Sequence, residues 1–318
     1  MTLLLVGGAA ACAARRQRRD YLATGDFNVS TMNEEGYDEP APATANIHSA
    51  NLTVGFIGAG KMAISLAKGI LKRGIVKADR ILASAPTDRS TGLFTEAGMK
   101  TTRDNGEVVR ACKVVFIATK PPVVKAALAD IRAEVTGDHL IVSIAAGITI
   151  ATLEKVKLYL GAHVVRLMPN TACQVGEGAM VFARGRSTTP EEALLLQELL
   201  SHCGMCLAVP EPYIDIHTGM SGSGIAYAYM FAEALADGAV KMGMTRAVAG
   251  DIAAQTLLGA GRMLLQTKAH PSQLKDDVSS PGGTTIYGIH ELEKGNFRST
   301  VINAVETATA RANHLGKQ

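Results

Sequence analysis

The stretch Leu52-Thr-Val-Gly-Phe-Ile57-Gly58-Ala59-Gly60-Lys61-Met62-Ala63 decides the fold. A short apolar run ends in two glycines, and a helical pattern follows, with Met62, Leu66, Ile70 and Leu71 on one face. This is the strand, glycine turn and helix that a G-x-G-x-x-G/A fingerprint requires. Gly58 permits the tight turn, Gly60 lets backbone approach a pyrophosphate, and Ala63 allows helix and strand to pack closely. The helix N-terminus offers unpaired N–H groups and the positive end of its dipole to phosphates. At the head of an alternating strand and helix series, the motif points to dinucleotide binding.

The alternation continues downstream. Arg80–Ser84, Val114–Ala118, Leu140–Ile144, Val164–Met168 and Ala179–Phe182 read as strands, with helical segments near 89–98, 105–111 and 122–134. The expected fold class is α/β: a Rossmann-type doubly wound sheet followed by an all-helical dimerisation domain. The expected boundaries are 52–211 for the dinucleotide-binding domain and 212–318 for the helical dimerisation and substrate domain. NAD sites usually place Asp or Glu at the end of the second strand. This chain has Ala83-Ser84-Ala85-Pro86-Thr87 there, with Asp88 and Arg89 further on. No early carboxylate repels a 2′-phosphate, and hydroxyls with Arg89 suit one, so NADPH is the expected cofactor and NADH the second choice.

From about residue 212 the pattern is helical, apolar and rich in Gly, Ala and Ser. Glu233, Asp237 and Lys241 recur every four residues as a charged stripe. Charges within the run exclude a membrane helix, and helices apolar on nearly all sides suggest burial between subunits. A second glycine-rich loop, Asp276-Asp-Val-Ser-Ser-Pro-Gly-Gly-Thr-Thr-Ile286, leads into a helix through Leu292 that Thr284 or Thr285 is expected to cap. Consecutive N–H groups at such a helix start form an anion nest fit for a carboxylate or a phosphate. Seen alone, the loop is equally an ordinary capped turn.

Composition narrows the classes. Lys plus Arg is 32 and Asp plus Glu is 29, a net charge of +3, too balanced to argue for nucleic acid or an acidic membrane surface. Five scattered cysteines are no disulfide framework. Cys203 and Cys206 lack the second pair that a structural zinc site needs, and read as small apolar residues. The apolar run Thr2–Ala14 is too short to span a bilayer. It precedes Arg15-Arg16-Gln-Arg18-Arg19, the wrong order for a secretory signal. The first nineteen residues suit a mitochondrial presequence, but the six acids between Asp20 and Glu39 do not. Residues 1–51 read as a disordered leader and linker, with Met32 a second possible start.

Together the motifs resemble the pyrroline-5-carboxylate reductase family over about 53–315. They are Val54 to Gly60, Ala118-Thr-Lys-Pro121, Leu167-Met-Pro-Asn-Thr171, Gly219-Met-Ser-Gly-Ser-Gly224 and Ser279-Ser-Pro-Gly-Gly-Thr-Thr285. The segment Ile81–Arg89 is most similar to the third animal isozyme, a cytosolic branch, which implies a cytoplasmic protein; the Arg-rich start keeps a mitochondrial alternative. The resemblance implies reduction of a five-membered cyclic imine carboxylate to proline by NAD(P)H, in a homodimer often assembled into a homodecamer. It also implies roles by position. The cofactor loop is Ile57, Gly58, Ala59, Gly60, Lys61 and Met62. Ala85 and Thr87 lie on the adenosine side and Asn105 at the ribose. Thr119 and Lys120 lie beneath the cofactor, Ala146 near the nicotinamide, and Asp277 is a further contact. Glu211, Ser280, Gly282, Gly283, Thr284 and Thr285 belong to the substrate site, with the Thr285 hydroxyl at the ring nitrogen. Ala85, Ala172 and Asp277 depart from the commoner Ser, Pro and Asn.

An iminium is already electrophilic, so the chemistry demands no metal and no strong acid; positioning two reactants and holding one anion suffices. His217 and His290 read as ordinary core or surface residues. Two other classes share parts of this pattern. A 3-hydroxyacid-type dehydrogenase needs a catalytic lysine on a helix of the second half, where Lys241 is the candidate. A cofactor-sensing binding module needs Gly58 and Gly60 but not the Ser279–Thr285 loop.

Overall fold

The structure is a computed structural model describing residues 52–87, 90–155 and 161–315. The leader reading and the readings of Asp88 and Arg89 lie outside the described residues.

Among the described residues, eight strands form one sheet: β1 Val54–Ile57, β2 Ile81–Ser84, β3 Lys100–Thr102, β4 Val114–Ile117, β5 Leu140–Ser143, β6 His163–Met168, β7 Gly178–Arg184 and β8 Gly204–Ala208. Their order is β3-β2-β1-β4-β5-β6-β7-β8. The first six strands are parallel, β7 runs antiparallel to β6, and β8 is parallel to β7. β1, β2, β4 and β5 are buried at every position, as sheets covered on both faces require. Alternate side chains enter two cores: Val54 and Phe56 one, Ile57 the other. Phe56 stacks on Phe116 with ring centroids 4.9 Å apart, and Phe94 tilts against it at 5.8 Å.

Helix α1, Lys61–Arg73, buries Leu66 and Ile70 in the first core, and Met62 and Leu71 pack against it. Three helices follow: α2 Gly92–Glu96, α3 Asn105–Ala111 and α4 Pro121–Ile131. The helix expected over 89–98 is only five residues long, because Gly98 takes φ +78° and turns the chain into β3. β3 itself is a short edge strand of Lys and Thr, without the apolar run that marks its neighbours.

After α5, Ile150–Lys155, and α6, Pro190–Leu200, the sheet ends at Ala208. The chain then becomes helical: α7 Pro212–His217, a π-helical turn Thr218–Gly222, α8 Gly224–Lys241, α9 Arg246–Thr267, α10 Pro271–Asp277, α11 Thr284–Lys294 and α12 Phe297–Leu315. α8 packs on α9, and α12 packs on the π turn. Only Ala236 of α8 and Ala249 and Ala253 of α9 are buried, while Met230, Ile252, Leu265 and Ile302 lie open. Among the described residues, no helix is long and apolar enough to cross a membrane and no side-chain cluster suits a metal ion.

Candidate nucleotide and substrate site

The glycine loop closes at the sheet's topological switch point, between β1 and β4, where open α/β sheets bind ligands. Gly58 has φ +103°, and a Cβ on it would lie 2.7 Å from the carbonyl oxygen of Ala118. Any other residue there is strained and pushed into β4's end. Gly60 differs: a Cβ on it would meet nothing within 4 Å. That open space lies over the first turn of α1, where Gly60 is the N-cap and no side chain caps the N–H groups. Ala59 and Ala63 are buried beneath.

A cavity of about 270 Å³ opens beside this turn, lined by Gly60, Lys61, Met62, Ala118, Thr119, Lys120, Ile144, Met168 and Pro169. The Thr119 hydroxyl is buried without a hydrogen-bond partner. Ala146 stands just beyond the end of β5. At the end of β2, the buried Ser84 hydroxyl donates to Asn105 Oδ1 at 2.6 Å, and Asn105 Nδ2 donates to Asp130 at 3.1 Å. Ala85 is buried and Thr87 exposed beside that pair. Uncapped N–H groups, clearance over Gly60 and an orphaned hydroxyl fit a nicotinamide dinucleotide, whose pyrophosphate the start of α1 would hold.

The second glycine loop is built differently from expectation. Neither Thr284 nor Thr285 caps α11; Gly283 is the N-cap, with extended backbone and no side-chain cap. Gly282 takes φ +69°, and the Gly283 N–H donates to Ser280 O at 3.0 Å, closing a turn. Ser280 and Gly283 lie so close that a Cβ on Gly283 would come within 2.3 Å of Ser280 Oγ. This closure commits one of the expected nest donors, and the threonines enter the helix as its first two residues with their N–H groups uncapped.

Two carried-over residues have other partners. Glu211 Oε1 accepts from the Ile150 N–H at 2.8 Å and from Arg166 at 3.3 Å. Arg166, almost fully buried, also binds Asp215 at 2.6 Å. This buried cation with two carboxylates holds the start of α5 and α7 against β6. Glu211 also lines an open cleft of about 640 Å³ with Glu154, Arg184 and Arg186. Glu154 there accepts from the Arg186 N–H at 3.0 Å. No hydrogen bond or ion pair among the described residues links Glu211 to Ser280–Thr285. Asp277 accepts from Gln273 at 2.7 Å. Lys241 ends α8.

The sequence reading missed Ser84, which orients Asn105, and Met168 and Pro169, which wall the cavity. Periodicity marks Ser84 and Met168 only as strand residues. Among the described residues, Cys112, Cys173, Cys203 and Cys206 are free and buried, and burial pushes the thiols of Cys112, Cys203 and Cys206 up to about 12.

Residues 53–147 match a family model described as NADP oxidoreductase, coenzyme F420-dependent, and residues 211–315 match one described as pyrroline-5-carboxylate reductase dimerisation. The chain is 54% identical over 268 residues to pyrroline-5-carboxylate reductase 3 of Xenopus laevis, covering 84% of this chain and 97% of that one. Among solved structures, the pyrroline carboxylate reductase of Plasmodium falciparum with NADP bound matches with TM-score 0.77 and 32% identity, covering 84% of this chain and 98% of that one. The Coxiella burnetii pyrroline-5-carboxylate reductase matches with TM-score 0.77 and 34% identity, over 84% of this chain and all of that one. The chain belongs to the pyrroline-5-carboxylate reductase family.

Proposed function

We propose that the chain reduces 1-pyrroline-5-carboxylate to L-proline, the last step of proline synthesis, with a nicotinamide cofactor. The observation that carries this reading is the 54% identity over 97% of a named reductase. Both glycine loops fall within the residues matched by family models. The cofactor supplies a hydride to the imine carbon. The protein's part is to hold the two reactants. Gly58 and Gly60 shape the loop that receives the pyrophosphate, and Thr119 offers its unpartnered hydroxyl under the cofactor. The N–H groups at the start of α11 hold the substrate carboxylate, and the Thr285 hydroxyl orients and polarises the ring nitrogen. Thr285 is a positioning hydroxyl here, not an obligatory acid, because an iminium needs little further activation.

NADPH is the preferred cofactor. Neutral Ala85, Pro86 and Thr87 follow β2, so no carboxylate immediately after the strand repels a 2′-phosphate. The assembly is a homodimer through the helical half, and further association into a decamer follows the family pattern. The reading is tested by NADPH and NADH oxidation with 1-pyrroline-5-carboxylate beside a panel of 2- and 3-oxoacids. Turnover confined to the cyclic imine and faster with NADPH is expected. Preferred turnover of a 3-oxoacid would replace this reading with a hydroxyacid dehydrogenase.

A further inference from the structure

We propose that Asn170 is a positioning residue that couples the cofactor cavity to the helical half through Ser221. The inference rests on the reductase reading given above. Met168 and Pro169 form one wall of the cavity beside Gly60. Asn170 follows them, is 6% exposed, and uses both ends of its carboxamide. Oδ1 accepts from the Ala172 N–H at 3.2 Å and from the Ala179 N–H at 3.4 Å. Nδ2 donates to Ser221 Oγ at 3.0 Å.

Each bond reaches a different element. Ala172 belongs to the short 3-10 turn Thr171–Val175, which packs on α1, the helix whose N-terminus faces the cavity. Ala179 belongs to β7. Ser221 lies across the domain boundary, in the π-helical turn of the helical half. The same turn touches the cavity wall directly, since a Cβ on Gly222 would lie 3.2 Å from Met168 Cε. Its other side is wedged against α12: a Cβ on Gly219 would lie 2.4 Å from Thr309 Oγ1 and 2.8 Å from Val305 O. π turns are rare, and they are frequent at functional sites. This one is held between the cavity wall and the last helix, so a shift of the helical half is passed to Met168 and Pro169 through Asn170. Hydride transfer needs reacting atoms about 3–3.5 Å apart, and a misplacement of about 1 Å costs on the order of 100-fold. Asn170 therefore fixes where the cavity wall of Met168 and Pro169 stands relative to the half that carries the substrate loop.

The test uses the full-length protein and two variants. Ser221→Ala removes the acceptor for Nδ2, whereas Ser221→Thr keeps a hydroxyl there. Steady-state kinetics, NADPH affinity by fluorescence titration and thermal unfolding are measured on each. Ser221→Ala is expected to lower kcat by about 10- to 100-fold. KM for the imine and Kd for NADPH should stay within about twofold, because neither binding loop is touched. Tm should stay within about 4 °C, and Ser221→Thr should recover most of the kcat. Unchanged kcat in Ser221→Ala overturns the inference. So does a joint fall of kcat, NADPH affinity and Tm, which would assign Asn170 to stability alone. If Ser221→Ala does not fold, Ser221→Cys, a weak hydrogen-bonding group, takes its place under the same expectations. A parent protein that is silent toward the imine overturns the reductase reading and this inference together. An active parent with an unaffected variant overturns only the inference.

Discussion

In the sheet-bearing half, Phe56, Phe116 and Phe182 are fully enclosed by the chain's own strands and helices. In the helical half, the 18 residues of α8 and the 22 of α9 supply three buried side chains, all alanine. Both stretches are apolar in sequence. They differ in how far the chain completes its own core: parallel strands are covered on both faces by helices of the same chain, while α8 and α9, packed on each other and touched by the π turn and α12, leave Met230, Ile252 and Leu265 open. The alanine contact permits close helix packing and leaves the larger residues around it at the surface. One half thus encloses its own core, and the other, which matches a family dimerisation model, leaves its larger apolar residues uncovered.

The largest expected effect comes from breaking the dimer proposed for the helical half. Val248→Glu with Ile252→Glu puts two charges, four residues apart, on an exposed apolar face of α9. Wild type should be a dimer at micromolar concentration, burying more than about 2,000 Å² in total. The double variant should scatter light as a monomer, lose imine reduction, and still bind NADPH through the closed half. A stable, active wild-type monomer would erase the contrast between the halves.

Next is the closed half itself. Gly60→Val places a branched side chain in the clearance over α1, where no protein atom stands to be displaced. Fold and dimer should survive, while affinity for either nicotinamide cofactor drops by at least about 100-fold, because close approach to the helix N-terminus is lost. Retained affinity in a fluorescence titration would move the pyrophosphate elsewhere.

Thr285→Val sharpens the role of the second loop. It keeps the volume and β-branch at the second residue of α11 and removes only the hydroxyl. A hydrogen bond to a charged group contributes about 1.5–3 kcal/mol, so kcat/KM should fall roughly 10- to 150-fold with NADPH affinity unchanged. Activity within error of wild type would take the hydroxyl out of the reaction.

The smallest effect concerns the enclosed thiols. Burial raises Cys112, Cys203 and Cys206 from 9.0 to about 12. A raised thiol pKa favours the folded state below pH 9 and withdraws that stability as pH climbs from 9 toward 12, because the unfolded thiols ionise first. At pH 8 the folded protein should leave these three unmodified by a thiol reagent, with labelling only on unfolding. Rapid labelling of Cys203 would contradict the closed core.

How much was legible follows from what each feature depends on. The first glycine loop could be read directly, because a positive φ at Gly58 and clearance at Gly60 are demands on single residues within one turn. Four buried strands announced themselves as continuous apolar runs, but β3 did not, since an edge strand of Lys and Thr needs no apolar pattern. The cap on α11 differs from the expected threonine. Threonine is a good N-cap by type, but the Gly282 turn sets the start of the helix at Gly283, one residue too early for either threonine to serve.

Fold class, the dinucleotide loop and the apolar character of the helical half are written in the residues themselves, because they rest on periodicity and on a backbone conformation that favours glycine at Gly58. The partners of the polar residues follow from packing. Asn105 meets Ser84 and Asp130. Glu211 meets Ile150 and Arg166. Asn170 reaches 51 residues along the chain to Ser221. Hydrogen bonds depend on positions to within a few tenths of an ångström, and those are fixed only when distant segments pack together.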